Sequence, residues 1–197
     1  PLTLTSLVNE NFNGLTLGNL NGQGGWVFDN GGITGNTGVV QTVSGSDKSA
    51  KLTTTSTSGK AEAYHAFTAP ANSTVIAEAT VIADDNNWKN AIVVSDSSLT
   101  SSNIGAHIIM QNGKIWGYNG GTQTNVLTSI TNGESYRLKV IINTSTKKFD
   151  VYVNGELRGS QWNYRYAGLT KVDRLGFSIG GNASSMSVDD AKVSYIP

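Results

Sequence analysis

Three stretches of the 197-residue chain set aromatic rings beside amides and cations. In Gln161-Trp-Asn-Tyr-Arg-Tyr-Ala-Gly168, the rings Trp162, Tyr164 and Tyr166 alternate with Asn163 and Arg165. Trp116 and Tyr118 stand two apart and so share one face of any strand that carries them. Trp88 follows the polar run Asp84-Asp-Asn-Asn87. A ring offers an apolar face, while Asn, Gln and Arg offer directed hydrogen bonds. Together they suit a ligand that is apolar on its faces and rich in hydroxyls at its rim, as a sugar ring is. Large rings in β proteins are mostly core, and Trp26, behind two glycines, and Tyr136 read that way. Trp162 and Tyr164 read as ligand contacts, since their segment looks like a loop. Alternation does not assign the shared face of Trp116 and Tyr118 to core or to solvent.

Bond-breaking chemistry finds less material. Glycoside hydrolysis needs two carboxyls across the scissile bond, and Glu62, Glu78, Glu134 and Glu156 are isolated. Tyr64 and His65 are strand neighbours facing opposite ways. His107 is the other histidine, and two histidines with no cysteine argue against a zinc site. There is no G-x-S-x-G, H-E-x-x-H or phosphate-binding loop. Charged residues are 14% of the chain and balance to zero, which argues against a nucleic-acid partner. No apolar run is long enough to span a bilayer, so no membrane insertion is expected, and no leader is expected at Pro1. The lack of cysteine excludes disulfides but leaves an extracellular setting open.

These residues must be positioned by strands. Tyr136, Leu138, Val140 and Ile142 alternate with more polar partners, as do Phe149, Val151 and Val153. Asn154-Gly155 supplies a tight hairpin turn, and Gln111-Asn-Gly113 another. Further strands are expected at 38–43, 50–54, 62–68, 73–83, 91–95, 104–110, 114–118, 126–130, 174–179 and 186–196. An irregular segment from Glu10 to Gly25 should wrap an edge, anchored by Phe12, Leu15 and Trp26. About a dozen short strands, with no helix longer than a turn, predict one all-β domain over residues 1–197: a two-sheet antiparallel β-sandwich of jelly-roll type.

Three segments carry a family resemblance: ENFNGLTLGNLNGQGGW, SYRLKVIINTSTKKFDVYVNGEL and VDRLGFSIGGNASSMSVDDAKVSYI. In this order the chain resembles the concanavalin A-like lectin/glucanase superfamily, and within it laminin-G-like jelly rolls. Such modules occur as carbohydrate-binding modules of secreted bacterial polysaccharide-degrading enzymes. The resemblance implies a structural Ca²⁺ held by Glu10, Asn11 and Asn13 with Asp189 and Asp190. It also implies a non-catalytic module, monomeric and part of a larger multidomain protein, secreted or at a cell surface. That module would dock onto a polysaccharide or oligosaccharide through Trp162, Tyr164, Trp116, Tyr118, Trp88, Arg165 and Asn163. The neutral overall charge favours a weakly charged glycan. Related glucanases carry E-x-D-x-x-E or E-x-D-x-E, absent here. Related lyases use Tyr and His with a cation, for which His107, Tyr118 and Arg137 or Arg165 are the material. An adhesion or spacer module that binds protein is the third reading.

Overall fold

The computed structural model describes residues 3–56 and 59–197. Alternation decides most of the architecture. In Thr74–Ala83 every second side chain is buried, and Ser135–Asn143 and Lys148–Val153 follow the same rule. Each strand therefore turns one apolar face inward, as a pleat of period two requires.

Nine strands form one antiparallel sheet: β1 (Thr5–Glu10), β2 (Gly18–Asn19), β4 (Thr37–Ser44), β5 (Asp47–Thr54), β7 (Thr74–Ala83), β12 (Ser135–Asn143), β13 (Lys148–Val153), β14 (Glu156–Asn163) and β16 (Ser184–Ile196). Its order is β14-β13-β12-β7-β16-β5-β4-β2, with β1 also on β16. Seven strands form the second sheet: β3 (Trp26–Asp29), β6 (Lys60–Ala66), β8 (Lys89–Ser95), β9 (Ile104–Gln111), β10 (Lys114–Asn119), β11 (Thr122–Leu127) and β15 (Arg174–Gly180), in the order β11-β10-β9-β8-β15-β6-β3. Among the described residues the only helical turn is Ser101–Asn103. The expected two-sheet β-sandwich is what the chain forms.

Both Asn-Gly turns have the geometry their residues favour. Asn112 and Gly113 have φ of 54° and 70°, and Asn154 and Gly155 have 51° and 83°. Two successive positive φ values are what a two-residue hairpin needs to match strand twist. β16 changes partner halfway. Ser184–Val188 pair with β5, and Ala191–Tyr195 pair with β1. A bulge between Asp189 and Lys192, with Asp190 at φ 47°, marks the changeover.

The core between the sheets joins Val75, Ala77, Ala79 and Val81 of β7 to Ile92, Ile108, Phe177 and Ile179 of the facing sheet. Phe12 and Trp26 are fully buried anchors of the N-terminal wrap, and Leu15 is partly buried. Leu20 is also fully buried, an anchor that its Gly- and Asn-rich surroundings did not announce.

The aromatic segment 161–168 departs from expectation. Trp162 and Tyr164 are only 5% and 3% exposed, so their expected roles as sugar-contacting rings are corrected: both belong to the core. The expected loop begins inside β14, where Gln161 has φ 56° and the register with β13 shifts twice. The buried positions in β14 are Gly159 and Trp162, three apart rather than two. The bulge thus turns Trp162 inward, where alternation alone predicts nothing. Its ring meets Phe149 edge-on at 6.0 Å and slots between Gly159 and Gly117. A Cβ on Gly159 would come within 2.6 Å of the ring, and one on Gly117 within 3.0 Å.

Overpacking at such a slot typically costs about 1–3 kcal/mol, and emptying it about 3–5 kcal/mol. Gly159→Ala and Trp162→Ala are therefore expected to lower unfolding stability by those amounts in urea denaturation. A Gly159→Ala chain within about 0.5 kcal/mol of wild type would contradict the slotted ring.

Candidate functional site

On the outer face of the seven-stranded sheet, register sets side chains in two lateral rows. Asn125, Trp116, Ile109, Ala91, Ser178 and Glu62 stand opposite one another across β11, β10, β9, β8, β15 and β6. Beside them run Gln123, Tyr118, His107, Val93, Gly176 and Tyr64. The middle of the face is small and apolar, and its flanks are aromatic. Leu99, from the connection between β8 and β9, covers part of the middle; a Cβ on Gly176 would lie 2.4 Å from its side chain. What stays open lies over β9, β10 and β11.

There a depression of about 380 Å³ is lined by Lys89, His107, Ile109, Gln111, Trp116, Tyr118, Arg165 and the Gly180-Gly181 turn. A second, of about 370 Å³, is lined by Gln111, Asn112, Lys114, Trp116, Gln123 and Asn125. Gln111 and Trp116 belong to both, so the two form one groove with Trp116 at its waist. Trp116 and Tyr118 are partly exposed, with centroids 5.5 Å apart and planes at 64°. Both rings therefore border the groove.

Arg165 is brought in by backbone pairing. β10 leaves the start of β9 unpaired, and the segment after β14 takes its place: Arg165 N–H donates to the Gly105 carbonyl at 2.8 Å and Tyr166 N–H to the Ile104 carbonyl at 3.0 Å. The guanidinium then lies 3.9 Å from the centroid of the Tyr118 ring, a cation–π contact. Its Nη1 donates to His107 Nδ1 at 2.5 Å, and the His107 ring stacks on Tyr118 at 5.5 Å. A histidine accepting at Nδ1 carries its proton on Nε2. That Nε2 is buried without a hydrogen-bond partner among the described residues. Burial first, then the charges of Arg165 and Lys89, holds His107 down at about 3. Burial likewise lowers the Lys89 ammonium, with Glu62 opposing the shift. Lys89, Arg165 and Lys114 line the groove, and no carboxylate does among the described residues.

The other expected site residues fall elsewhere. Trp88 lies against Gly181, whose Cβ would meet its ring at 2.7 Å, and so supports the groove without lining it. Asn163 is exposed on β14, its N–H donating to Asn119 Oδ1 at 2.9 Å, outside the groove. Arg137 is on the other sheet, paired with Glu78 at 3.1 Å, and is removed from the set considered for a lyase. Lys89, Ile109, Gln111, Gln123 and Asn125 were not singled out by sequence. Their signal was register: each stands on the same outer face as Trp116 or at its edge.

The residues named for calcium meet where β1 runs along β16, with Glu10 opposite Ala191. Glu10 accepts the Phe12 N–H at 2.6 Å, and Asn13 Oδ1 accepts the Lys48 N–H at 2.6 Å. The Lys48 ammonium itself sits on the carbonyls of Asn13 and Leu15, at 3.1 and 2.6 Å. Asp189 accepts the Asp190 N–H, and Arg137 holds the Asp190 carbonyl. Calcium needs six to eight oxygens; one side-chain oxygen each of Glu10, Asn13 and Asp189 is bonded to the chain's own N–H donors. Among the described residues no three His, Asp or Glu side chains converge on a metal position.

No family model and no curated protein matches the chain. Solved structures do. A sialidase matches 95% of this chain with a TM-score of 0.77 and 14% identity, and the chain spans 18% of that protein's length. A carbohydrate esterase from Shiga toxin-encoding bacteriophage phi24B matches 98% of the chain and 99% of its own length, with a TM-score of 0.66 and 12% identity. The carbohydrate recognition domain of Emp46p in its metal-free form matches 95% of the chain and 94% of its own length, at 0.61 and 11%. At these identities the likeness shows the fold alone, a two-sheet β-sandwich.

The histidine makes a pH prediction. A free histidine titrates near 6.5, whereas folded His107 titrates at about 3. Between those values the unfolded chain binds the extra proton, so the stability linked to His107 is complete above pH 6.5 and is lost as pH falls toward 3. Asp189, raised to about 6 by burial, works in the opposite direction, so the comparison must be with a variant. His107→Gln is expected to lose less stability than wild type between pH 7 and pH 4 in urea denaturation. Identical losses would refute the buried neutral imidazole.

Proposed function

We propose that this chain is a non-catalytic carbohydrate-binding module and that its docking surface is the groove flanking Trp116. The single observation that carries this reading is Trp116 standing between two depressions, with Tyr118 beside it and polar groups on both sides. One ring bordering two adjacent subsites suits a linear chain of sugars that passes over it, with stacking at the waist and hydroxyls held by Gln111, Gln123 and Asn125. The groove's charge refines the ligand. Lys89, Arg165 and Lys114, unopposed by a lining carboxylate, favour a glycan with acidic sugars over the weakly charged one that overall neutrality favoured. Arg165, braced on Tyr118 and His107, is placed to meet a carboxylate as a fork.

On this proposal the module holds a larger extracellular protein against its polysaccharide. The sialidase, of which this fold spans 18% of the length, gives a precedent for the sandwich as one part of a larger chain.

A second reading, elimination at a uronate, draws on the contact of His107, Arg165 and Tyr118. The base it needs is poorly served here, because His107 Nδ1 already accepts from Arg165 and its Nε2 is buried. Release of an unsaturated uronate absorbance from an acidic polysaccharide, lost in His107→Ala, would establish that reading over binding alone.

Affinity electrophoresis through gels containing polygalacturonate, alginate or neutral glucans tests the binding. Retardation by an acidic polymer is expected, weakening with salt as the Lys and Arg contribution is screened. Trp116→Ala should weaken it about tenfold, equivalent to about 1.4 kcal/mol. A Trp116→Ala/Tyr118→Ala chain retarded as strongly as wild type would rule the groove out.

A further inference from the structure

We propose a second ligand site, for a neutral sugar, at the opposite edge of the sandwich. There, between β3 and the β2–β4 pair, lies a cavity of about 520 Å³. Ligand cavities commonly run from about 300 to 1,000 Å³. Sequence gave no notice of it, because its residues come from three separate segments, 19–21, 28–30 and 36–39.

Its chemistry is set by what its polar groups have already done. Asn19 Oδ1 accepts the Asn21 N–H at 3.1 Å, Asn21 Oδ1 accepts the Phe28 N–H at 3.0 Å, and Asn30 Oδ1 accepts the Gly32 N–H at 2.9 Å. Each amide is oriented by that bond. The chain uses one lone pair of its oxygen, and its NH₂ makes no hydrogen bond among the described residues. Asp29 is the complement: Oδ1 accepts the Gly31 N–H at 2.8 Å, and Oδ2 keeps its full accepting capacity. So the cavity presents three fixed amide donors and one acidic acceptor.

The frame is rigid. Asn36, 4% exposed, donates to the Asn30 and Lys60 carbonyls at 3.0 and 3.2 Å and accepts the Thr55 N–H at 2.9 Å, which ties the rim to β6 and to the end of β5. Phe28 supplies a partly buried ring among these polar groups. It rests on Gly38, where a Cβ would come within 2.4 Å of the ring.

This inventory selects its ligand. Amide donors do not hold a cation, and Asp29 is the one charged group in the lining, which disfavours an anion. Hydroxyls satisfy both sides at once, accepting from the three amides and donating to Asp29, while the C–H face of a pyranose covers Phe28. The cavity therefore takes an uncharged sugar, whereas the Trp116 groove carries three cations. The two sites are independent: this one uses no residue of the groove and stands even if the groove binds nothing.

The test is a ¹H–¹⁵N NMR titration of the whole chain with cellohexaose, laminarihexaose, mannohexaose and xylohexaose. At least one should shift the side-chain NH₂ signals of Asn19, Asn21 and Asn30. Asn21→Asp and Asn30→Asp keep the oxygen that accepts the backbone N–H and replace the outward donor with an acceptor. Asp29→Asn makes the reverse exchange. Because these changes leave the turns bonded, loss of binding is not loss of fold, and each should weaken binding about tenfold. Trp116→Ala should leave the titration unchanged. Silence of the three amide signals with all four sugars would overturn the proposal, as would isosteric variants that bind like wild type.

Discussion

The central strands of the seven-stranded sheet are buried on both faces, and the rest of the molecule is arranged around covering them. β8, β9 and β15 are buried along nearly their whole lengths, with no exposed position in any of the three. An antiparallel sheet ordinarily leaves one face to water and shows it by alternation. Here the nine-stranded sheet covers the inner face. Outside, Leu99, Tyr64, Trp116 and Tyr118 pack against Ala91, Val93 and Ile109. That outer cover is made of separate side chains rather than a third layer. Where Leu99 stops, the small floor and the rings at its flank leave a groove. The same sequence choice, small residues at the centre of the face and large ones at its margin, makes the sheet both buried and receptive.

The two concavities differ in how they hold their polar groups. In the groove Arg165 is braced on Tyr118; outside it, on the other flank of the same face, Arg174 lies over Tyr64 at 4.6 Å. Such contacts orient a guanidinium while keeping its charge available. In the edge cavity, backbone N–H groups fix each amide, and charge plays little part. A protein with balanced formal charge thus carries one strongly directional cationic surface and one almost neutral one. Net charge reported on the average and concealed the difference.

Much of the fold was legible because its signals are local. The hairpin 135–157 announced its strands by period two and its turn by Asn154-Gly155, and β7 and β16 lie close to where alternation placed them. The candidate site was legible only in part. Trp116 and Tyr118 were found to share a face, and register then showed that this face looks outward. Trp162 and Tyr164 were misjudged because their segment reads as a loop; both are buried on either side of exposed Asn163, after a bulge at Gln161 that puts them out of step with Gly159. A positive φ at a glutamine has no signature in sequence. Lys89, Gln111 and Asn125 could not be gathered from the chain, since only the lateral pairing of β8 through β11 brings them to one place. The short β3 was missed for a related reason: its four residues, Trp-Val-Phe-Asp, are too few for a period to register.

Thr5 of β1 lies opposite Tyr195 of β16, so the first and last strands run past each other with their free ends side by side. A host polypeptide joined at both places would enter and leave the sandwich at nearly one point. Traction between those attachments would open the β1–β16 ladder like a zipper, loading one rung at a time rather than shearing all rungs together. The load would meet the bulge at Asp190 only after β1 had been peeled away. Under drag, then, the parting seam is the N-terminal strand, on the sheet that lies across the core from the Trp116 groove.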